Sequence, residues 1–163
     1  MAARFAGSRR VRASHAFHSH RMDPMLAEYR SVVESVSFAP AVVPLVSTVT
    51  GGVVSVEELA SPEYWVRQVR EPVLFADAVA SLLDDGVSAF VEFGPDAVLS
   101  SFAEEVASAG SYPATTSVPV LRRGRSEVES VLGAVAALHV RGVSPVWGEL
   151  VGRGRRVELP AYA

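Results

Sequence analysis

Hydrophobic residues recur at spacings of three and four along several segments of the chain, which is the pattern of a helix with one apolar face. The first such segment follows Asp23-Pro24, and its apolar positions form a single stripe: Met25, Leu26, Tyr29, Val32, Val33 and Val36. Aspartate is a favourable N-cap and proline suits the first helical position. The pattern therefore predicts a helix that begins at Asp23-Pro24.

A second predicted helix begins with the same signal at Ser61-Pro62. Pro72 should end it near Arg70-Glu71, because proline lacks an N–H group and clashes with the preceding helical turn. Another helix is predicted from Pro72 to about Asp85, with Gly86 as its C-cap. The arginines of the second helix are interpreted as part of a solvated face.

Short apolar and β-branched runs between these helices predict strands. One is expected at residues 45–50, closed by Gly51-Gly52, and another at residues 88–93, followed by a turn at Gly94-Pro95. Residues 96–107 are predicted to be helical. The alternation of helix and strand predicts an α/β fold class with some parallel sheet.

The composition of the chain changes near residue 109, where a loop begins. A strand is predicted at residues 118–121. Ser126 and Glu129 then stand at capping-box spacing before a helix that ends by Gly142.

The sequence pattern also predicts secondary structure at the two ends of the chain, but less strongly. Residues 2–9 predict the last turns of a helix and residues 10–14 a short strand, while residues 156–159 predict a final strand. Both ends resemble interior points of a larger protein.

Composition narrows the range of functions. The chain has 163 residues, 49% of them hydrophobic, which suits a packed domain. Its net charge of -3 provides no general basic field for nucleic acid, and the absence of cysteine excludes thiolate chemistry and fits a reducing compartment. No apolar run reaches the roughly 18 residues of a membrane span, and the N-terminus lacks a secretion signal. We expect a cytoplasmic location with no nucleic-acid or membrane partner.

Three histidines within six residues, His15, His18 and His20, are the main chemical feature of the sequence. The spacing of His15 and His18 suits two metal ligands on one helical turn. The segment is a poor helix former and contains no acidic residue, so we expect no metal. The histidines are then either ordinary loop residues or include a catalytic base, since histidine can accept and return a proton near neutral pH.

A series of motifs extends from these histidines to the end of the chain, in this order: Ser14-His15-Ala16-Phe17-His18-Ser19, Met22-Asp23-Pro24-Met25-Leu26, Tyr64-Trp65-Val66, Arg70-Glu71-Pro72-Val73-Leu74-Phe75, Phe90-Val91-Glu92-Phe93-Gly94-Pro95-Asp96, Val120-Leu121-Arg122-Arg123 and Val157-Glu158-Leu159-Pro160-Ala161-Tyr162. The ordered set resembles the C-terminal part of the acyltransferase domain of modular type I polyketide synthases, together with the linker after it.

This resemblance implies a division of the chain. Residues 1–14 would be the end of a ferredoxin-like small subdomain. Residues 15–108 would be the C-terminal part of an α/β-hydrolase-like large subdomain, and residues 109–163 the linker after the acyltransferase.

The resemblance also implies a reaction. In the family, a serine attacks the thioester of an acyl-CoA, and the acyl group then passes to the phosphopantetheine thiol of an acyl carrier protein. The motif match makes His18 the catalytic base, and we expect a main-chain carbonyl near Gly94-Pro95 to orient it. No bound cofactor is expected, because malonyl-CoA and the phosphopantetheine arm are substrates. The implied partners are the acyl carrier protein and flanking synthase domains, with a ketosynthase upstream.

His15 and Phe17 are the candidate substrate-binding residues. Family members with His-Ala-Phe-His resemble malonyl-CoA enzymes, whereas methylmalonyl-CoA enzymes tend to have Tyr-Ala-Ser-His. A phenyl ring at position 17 can occupy the space that an α-methyl group needs. Because one methyl group in a pocket contributes only about 1–3 kcal/mol, Phe17 is not expected to set selectivity alone.

The serine nucleophile itself is missing from this sequence. The family carries it in a Gly-His-Ser-x-Gly elbow, and no Gly-x-Ser-x-Gly occurs here. Two functions remain open: the chain is part of a malonyl transferase and supplies its base, or it is a non-catalytic structural and linker piece of a truncated synthase. Under either function, we expect the fragment alone to be inactive.

Overall fold

The structure is a computed structural model that describes residues 15–152, 154–155 and 157–159. The chain divides into two compact units, one ending at Gly86 and one beginning at Val87. The helix predicted at residues 2–9 and the strand at 10–14 lie outside the described residues.

The first unit is helical in its described part. It contains a 3₁₀ helix followed by four α-helices: His20–Met25 (3₁₀), Leu26–Glu34 (α1), Val56–Leu59 (α2), Pro62–Arg70 (α3) and Phe75–Asp84 (α4). In its described residues the second unit contains two strands and three helices: Ala89–Glu92 (β1), Leu99–Ala109 (α5), Thr116–Pro119 (β2), Glu127–His139 (α6) and Trp147–Val151 (α7).

The predicted helix start at Asp23-Pro24 was wrong. Ser19 is the N-cap of a 3₁₀ helix, where its Oγ accepts a hydrogen bond from the N–H of Arg21 at 3.3 Å. The α-helical part begins only at Leu26. Asp23 is not a cap, because it lies inside this 3₁₀ helix, and its carboxylate pairs with the guanidinium of Arg70 at 2.5 Å.

Helix α3 begins and ends as the sequence predicted. The Oγ of Ser61 accepts a hydrogen bond from the N–H of Glu63, and Pro62 is the first helical residue. The helix ends at Arg70, and Glu71 is extended, with φ −84° and ψ 158°. A residue before proline is pushed out of the helical region by the proline ring, so Pro72 explains this end.

Helix α4 begins at Phe75, three residues later than predicted. The N–H of Leu74 donates to the carbonyl of Thr48 at 2.7 Å. This bond holds the residues after Pro72 against a neighbouring turn instead of in a helix. The helix ends at Asp84, and Gly86 follows with a positive φ of 85°, as expected for a residue that closes a helix.

The strand predicted at residues 45–50 is absent from this part of the structure. A single antiparallel bridge joins Val46 to Val53, and the chain reverses at Gly51, where φ is 77°. A side chain at Gly51 would lie 2.8 Å from Cβ of Asp77, so the turn requires glycine. The turn covers a small core of buried residues with partly buried neighbours: Val49, Val54, Tyr64, Leu59 and Trp65.

The buried hydroxyl of Ser47 ties this turn to α3. Its Oγ is 2.8 Å from the hydroxyl of Tyr64 and accepts a hydrogen bond from the N–H of Val49 at 2.9 Å. Ser47 is 2% exposed, so these bonds replace water at a buried polar group. The hydrogen bonds of the Ser47 hydroxyl therefore favour a turn in a segment where the hydrophobic pattern alone predicted a strand.

The second unit contains the predicted parallel sheet. β1 and β2 pair in parallel, with Ala89 opposite Thr116 and Glu92 opposite Pro119. Helix α5 connects them, so the three elements form a β-α-β unit. β2 begins two residues before the predicted strand at residues 118–121, and α5 begins three residues after its predicted start.

The predicted capping box of α6 is present in part. The Oγ of Ser126 accepts a hydrogen bond from the N–H of Glu129 at 3.4 Å. The N–H of Gly142 donates to the carbonyl of His139 at 2.9 Å, and its φ of 94° closes the helix as expected. Of the strand predicted at residues 156–159, Arg156 lies outside the described residues and residues 157–159 are not in a strand.

Helices of the described part of the chain are too short or too polar to cross a lipid bilayer.

Candidate active site around His18

His18 has a left-handed backbone conformation, with φ 61°. It is the one non-glycine residue with positive φ in the described part of the chain. Such a conformation costs about 1–3 kcal/mol and persists only where the surrounding structure holds it. Here the N–H of His18 donates to the carbonyl of Val69 at 2.9 Å. The sequence motifs identify His18 as the candidate base, and its backbone is also strained. Both observations make this loop the candidate active site.

The ring of His18 is held by a second carbonyl. Nδ1 of His18 lies 2.8 Å from the main-chain oxygen of Glu71. A carbonyl oxygen can only accept a hydrogen bond, so Nδ1 carries the proton in this contact. The neutral ring then has its lone pair on Nε2, which is the form that a general base needs. The expectation that the loop at Gly94-Pro95 supplies this carbonyl was wrong.

The end of α3 explains why these carbonyls are available. The last four carbonyls of a helix have no partner within the helix. Val69 lies in the last turn of α3, and Glu71 follows it as the C-cap. Because Pro72 keeps Glu71 extended, the Glu71 carbonyl points away from the helical direction and is free to accept from the ring. The proline that ended the helix in sequence thus also positions the acceptor for His18.

Three exposed ion pairs surround the end of α3. Nε of Arg67 lies 3.3 and 3.2 Å from the two carboxylate oxygens of Glu71, and Nη1 of Arg67 lies 3.8 Å from Glu58. Nε of Arg70 lies 2.5 Å from Oδ1 of Asp23. Both arginine side chains are 38% exposed, so they lie on a solvated face as interpreted, and each also pairs with an acid there.

The structure places the Phe17 ring next to the rings of both His15 and His18. The ring centroids of His15 and Phe17 are 6.1 Å apart with an interplanar angle of 70°, and those of Phe17 and His18 are 6.3 Å apart at 49°. Phe17 is 52% exposed. A half-exposed aromatic ring in contact with a catalytic candidate can form one wall of a substrate pocket. His20 instead opens the 3₁₀ helix and is exposed.

In the described residues, no group of three His, Cys, Asp or Glu side chains is placed to hold a metal ion.

Glu92 is a polar residue that sequence reasoning missed. Its Oε1 accepts hydrogen bonds from the N–H groups of Val98 and Leu99 at 3.1 and 3.0 Å. Its Oε2 accepts from the N–H and Oγ of Ser100 at 2.8 and 2.7 Å. Partial burial alone would raise the pKa of Glu92, but these hydrogen bonds stabilise the carboxylate and lower its pKa below the usual value. Glu92 therefore caps α5 as an anion.

The sequence offered no local signal for this cap. Asp96, nearer to the helix, was the predicted start, but its Oδ1 accepts only from the N–H of Ala97 at 3.0 Å among the contacts described. Glu92 lies at the end of β1, and its carboxylate reaches α5 because the intervening loop turns back on itself.

The chain is similar to acyltransferase domains both in sequence and in structure. The sequence model of a family described as the acyl transferase domain matches residues 1–145. Polyketide synthase GfsA of Streptomyces halstedii is 46% identical over 158 residues, which cover 96% of this chain and 2% of that synthase.

Solved acyltransferase domains share the fold. The acyltransferase domain from the second module of the salinomycin polyketide synthase is 42% identical with a TM-score of 0.79, covering 88% of this chain and 33% of that one. The acyltransferase domain of SpnD, solved in complex with 2-(pent-4-yn-1-yl)malonyl, is 26% identical with a TM-score of 0.75, covering 82% of this chain and 33% of that one. The chain thus spans about a third of these solved domains.

Proposed function

Since the chain belongs to the acyltransferase domains of type I polyketide synthases, we propose that it supplies the general base of a transferase that loads a malonyl unit onto an acyl carrier protein. The observation that carries the proposal is the hydrogen bond from Nδ1 of His18 to the Glu71 carbonyl, at 2.8 Å. That bond leaves Nε2 as the proton acceptor.

The first half-reaction forms an ester on a serine that lies outside this chain. Nε2 of His18 takes the proton of the serine hydroxyl as the oxygen attacks the thioester carbonyl of malonyl-CoA. The tetrahedral adduct collapses, the bond to sulfur breaks, and the proton on His18 passes to the departing thiolate. CoA leaves as a thiol and His18 is neutral again.

The second half-reaction reverses these roles with a different thiol. Nε2 of His18 takes a proton from the phosphopantetheine thiol of the acyl carrier protein, and the sulfur attacks the serine ester. When the ester bond breaks, the serine oxygen recovers the proton from His18. In both steps the Glu71 carbonyl keeps the Nδ1 hydrogen in place, so that the ring shuttles a proton without changing orientation.

The choice of malonyl-CoA is supported by Phe17. Its ring lies beside that of His18, with centroids 6.3 Å apart. A phenyl ring this close to the base fills space that a substituent on the α-carbon would otherwise use. The related SpnD acyltransferase domain was solved in complex with 2-(pent-4-yn-1-yl)malonyl, a malonyl group that carries a substituent.

The proposal extends to the rest of the protein. Residues 1–14 would end a ferredoxin-like small subdomain, residues 15–108 would form the C-terminal part of the large subdomain, and residues 109–163 the linker. The partners would be an acyl carrier protein and flanking synthase domains, in the cytoplasm, where malonyl-CoA is the donor.

A second candidate function is a purely structural one. It is favoured by a specific observation, the absence of any Gly-x-Ser-x-Gly elbow in the 163 residues. In this case the chain would be a scaffold and linker piece that performs no transfer.

Covalent labelling separates the two functions. The chain is compared, with radiolabelled malonyl-CoA, against a completed domain in which it follows the first two thirds of a related acyltransferase that carries the serine elbow. We expect stoichiometric label on the completed domain and none on the chain alone. Label on the chain alone would mean that a nucleophile other than the elbow serine operates here. A folded completed domain that takes no label would favour the structural function.

A further inference from the structure

We propose that the ion pair between Asp23 and Arg70 is a positioning device that holds His18 in its base-competent orientation. The inference rests on the proposed role of His18. Asp23 and Arg70 touch neither the ring nor, in the proposed reaction, the substrate, so they act through the loop that carries His18.

Three consecutive residues at the end of α3 hold the segment that carries His18. The Val69 carbonyl accepts from the N–H of His18 at 2.9 Å, and the Glu71 carbonyl faces Nδ1 of His18 at 2.8 Å. Between them, the side chain of Arg70 binds Asp23 at 2.5 Å. The segment from His18 to Asp23 is therefore attached to the end of α3 at three points, two at His18 and one five residues later.

Because the backbone of His18 is strained, the third attachment, between Asp23 and Arg70, is needed to hold the loop in place. A left-handed histidine tends to relax toward φ below zero, and that rotation would swing its ring and its N–H away from the two carbonyls. Relaxation also requires the following residues to move. The 3₁₀ helix begins two residues after His18, and Asp23 lies within it. Fixing Asp23 to α3 resists this movement from the far side of the loop.

The 3₁₀ helix is also anchored by an apolar contact, but of a different kind. Met22 is 8% exposed and is the buried residue of that helix. Apolar burial is non-directional and permits rotation of the segment, whereas a short guanidinium–carboxylate contact fixes both distance and direction. The ion pair therefore sets the orientation of the loop, whereas burial of Met22 only keeps the loop packed against the rest of the unit.

A second ion pair on the same helix provides a matched control. Arg30 of α1 pairs with Glu63 in the first turn of α3, at the opposite end from His18. The side chains of this pair are 39% and 56% exposed, and those of Arg70 and Asp23 are 38% and 54% exposed. Both pairs join a neighbouring helix to α3, so loss of either should affect stability to a similar extent. Only one of them adjoins His18.

The test uses the completed domain and four variants. Asp23→Asn removes the charge of the acid with little change in shape, Arg70→Gln removes the guanidinium group, Arg70→Lys keeps the positive charge, and Arg30→Gln removes the control pair in the same way as Arg70→Gln. We expect Asp23→Asn and Arg70→Gln to lower kcat by about 10- to 100-fold with little change in KM for malonyl-CoA, because a misplaced base affects the reacting geometry more than binding. Arg70→Lys should recover part of kcat, and Arg30→Gln should leave both constants unchanged.

A spectroscopic readout tests the same inference without activity. The chain has four histidines, so ¹⁵N labelling of histidine allows the ring nitrogens of His18 to be assigned by NMR. The intact chain should show the Nδ1–H tautomer at His18. Asp23→Asn should convert a measurable share to the Nε2–H tautomer, and Arg30→Gln should not.

The outcomes separate this inference from the proposed function. If Asp23→Asn and Arg30→Gln give the same kcat and leave the His18 tautomer unchanged, the positioning role is refuted. If the completed domain is active but His18→Ala is as active as the unaltered domain, the proposed function fails, and the tautomer measurement still decides whether the ion pair orients the ring.

Discussion

His18 and Glu71 are 53 residues apart in sequence, and the ring of one lies 2.8 Å from the main-chain oxygen of the other. No side-chain acid is involved. A main-chain carbonyl fixes the tautomer without adding a charge, and its position depends on the end of a helix instead of on a rotamer. Substitution of the Glu71 side chain should therefore leave the contact in place, whereas changes to His18, to the backbone or to the end of α3 should disrupt it.

The first prediction concerns the base. In the completed domain, His18→Ala should reduce malonyl transfer by about 10²–10⁴-fold, which is the usual contribution of a positioned general base. His15→Ala and His20→Ala should each have a far smaller effect, because the motif match assigns the base to His18, whose Nδ1 faces the Glu71 carbonyl. Steady-state rates of transfer to an acyl carrier protein provide the measurement. A larger loss of transfer rate for His20→Ala than for His18→Ala would show that the assignment of His18 as the base is wrong.

The second prediction concerns selectivity. Phe17→Ser in the completed domain should increase the use of methylmalonyl-CoA relative to malonyl-CoA, because removing the ring vacates space beside the α-carbon. The shift should be at most about 1–3 kcal/mol. Adding His15→Tyr should move the preference further if the two residues form one wall, as their contact at 6.1 Å between ring centroids suggests.

The measurement for Phe17 is the ratio of kcat/KM for the two substrates in direct competition. Phe102→Ser, a similarly exposed phenylalanine in the other unit, serves as the control for loss of an aromatic ring. An unchanged ratio in a folded, active Phe17→Ser variant would show that Phe17 does not line the pocket for the α-substituent.

The third prediction uses the backbone of His18. Glycine adopts a φ of 61° without strain, whereas alanine does not. Both substitutions remove the ring and its bond to Glu71. His18→Gly should therefore be more stable than His18→Ala by about 1 kcal/mol, in spite of the greater flexibility of glycine in the unfolded chain. Urea unfolding monitored by circular dichroism would measure the difference. Greater stability of the alanine variant would indicate that His18 is not left-handed in solution.

The fourth prediction is a pH dependence from Glu92. Its pKa is lower in the folded protein than the ordinary value because hydrogen bonds from α5 favour the carboxylate. The unfolded chain therefore binds this proton more readily, so the stabilising effect is complete above the ordinary carboxyl pKa and is lost as pH falls through the folded pKa. Glu92→Gln should lower stability at pH 7 by about 0.5–2 kcal/mol, as for loss of a helix cap.

The same variant should lose less stability on acidification than the unaltered chain, since its amide does not titrate. Chemical unfolding at pH 7 and at successively lower pH would measure both effects. Glu104→Gln, an exposed acid within α5, is the matched control and should show neither. Identical acid dependence for Glu92→Gln and the unaltered chain would contradict the capping role.

The sequence by itself determined the family, an α/β fold class with some parallel sheet, and the residues to examine in the candidate site. These depend on local information: proline and glycine set the ends of α3 and α4, and the ordered motifs name His15, Phe17 and His18. The absence of a Gly-x-Ser-x-Gly motif could also be read directly from the sequence, because that motif is contiguous.

Only the tertiary structure showed which contacts hold the candidate site and the elements around it in place. The strand expected at residues 45–50 became a turn because the Ser47 hydroxyl found a partner in Tyr64, 17 residues away. The start at Asp23 was misplaced because its carboxylate pairs with Arg70, and the orienting carbonyl came from Glu71 and not from the Gly94-Pro95 turn. Each of these outcomes is a polar contact between distant segments. Such contacts depend on where the folded chain places its donors and acceptors, and neither periodicity nor propensity records that placement.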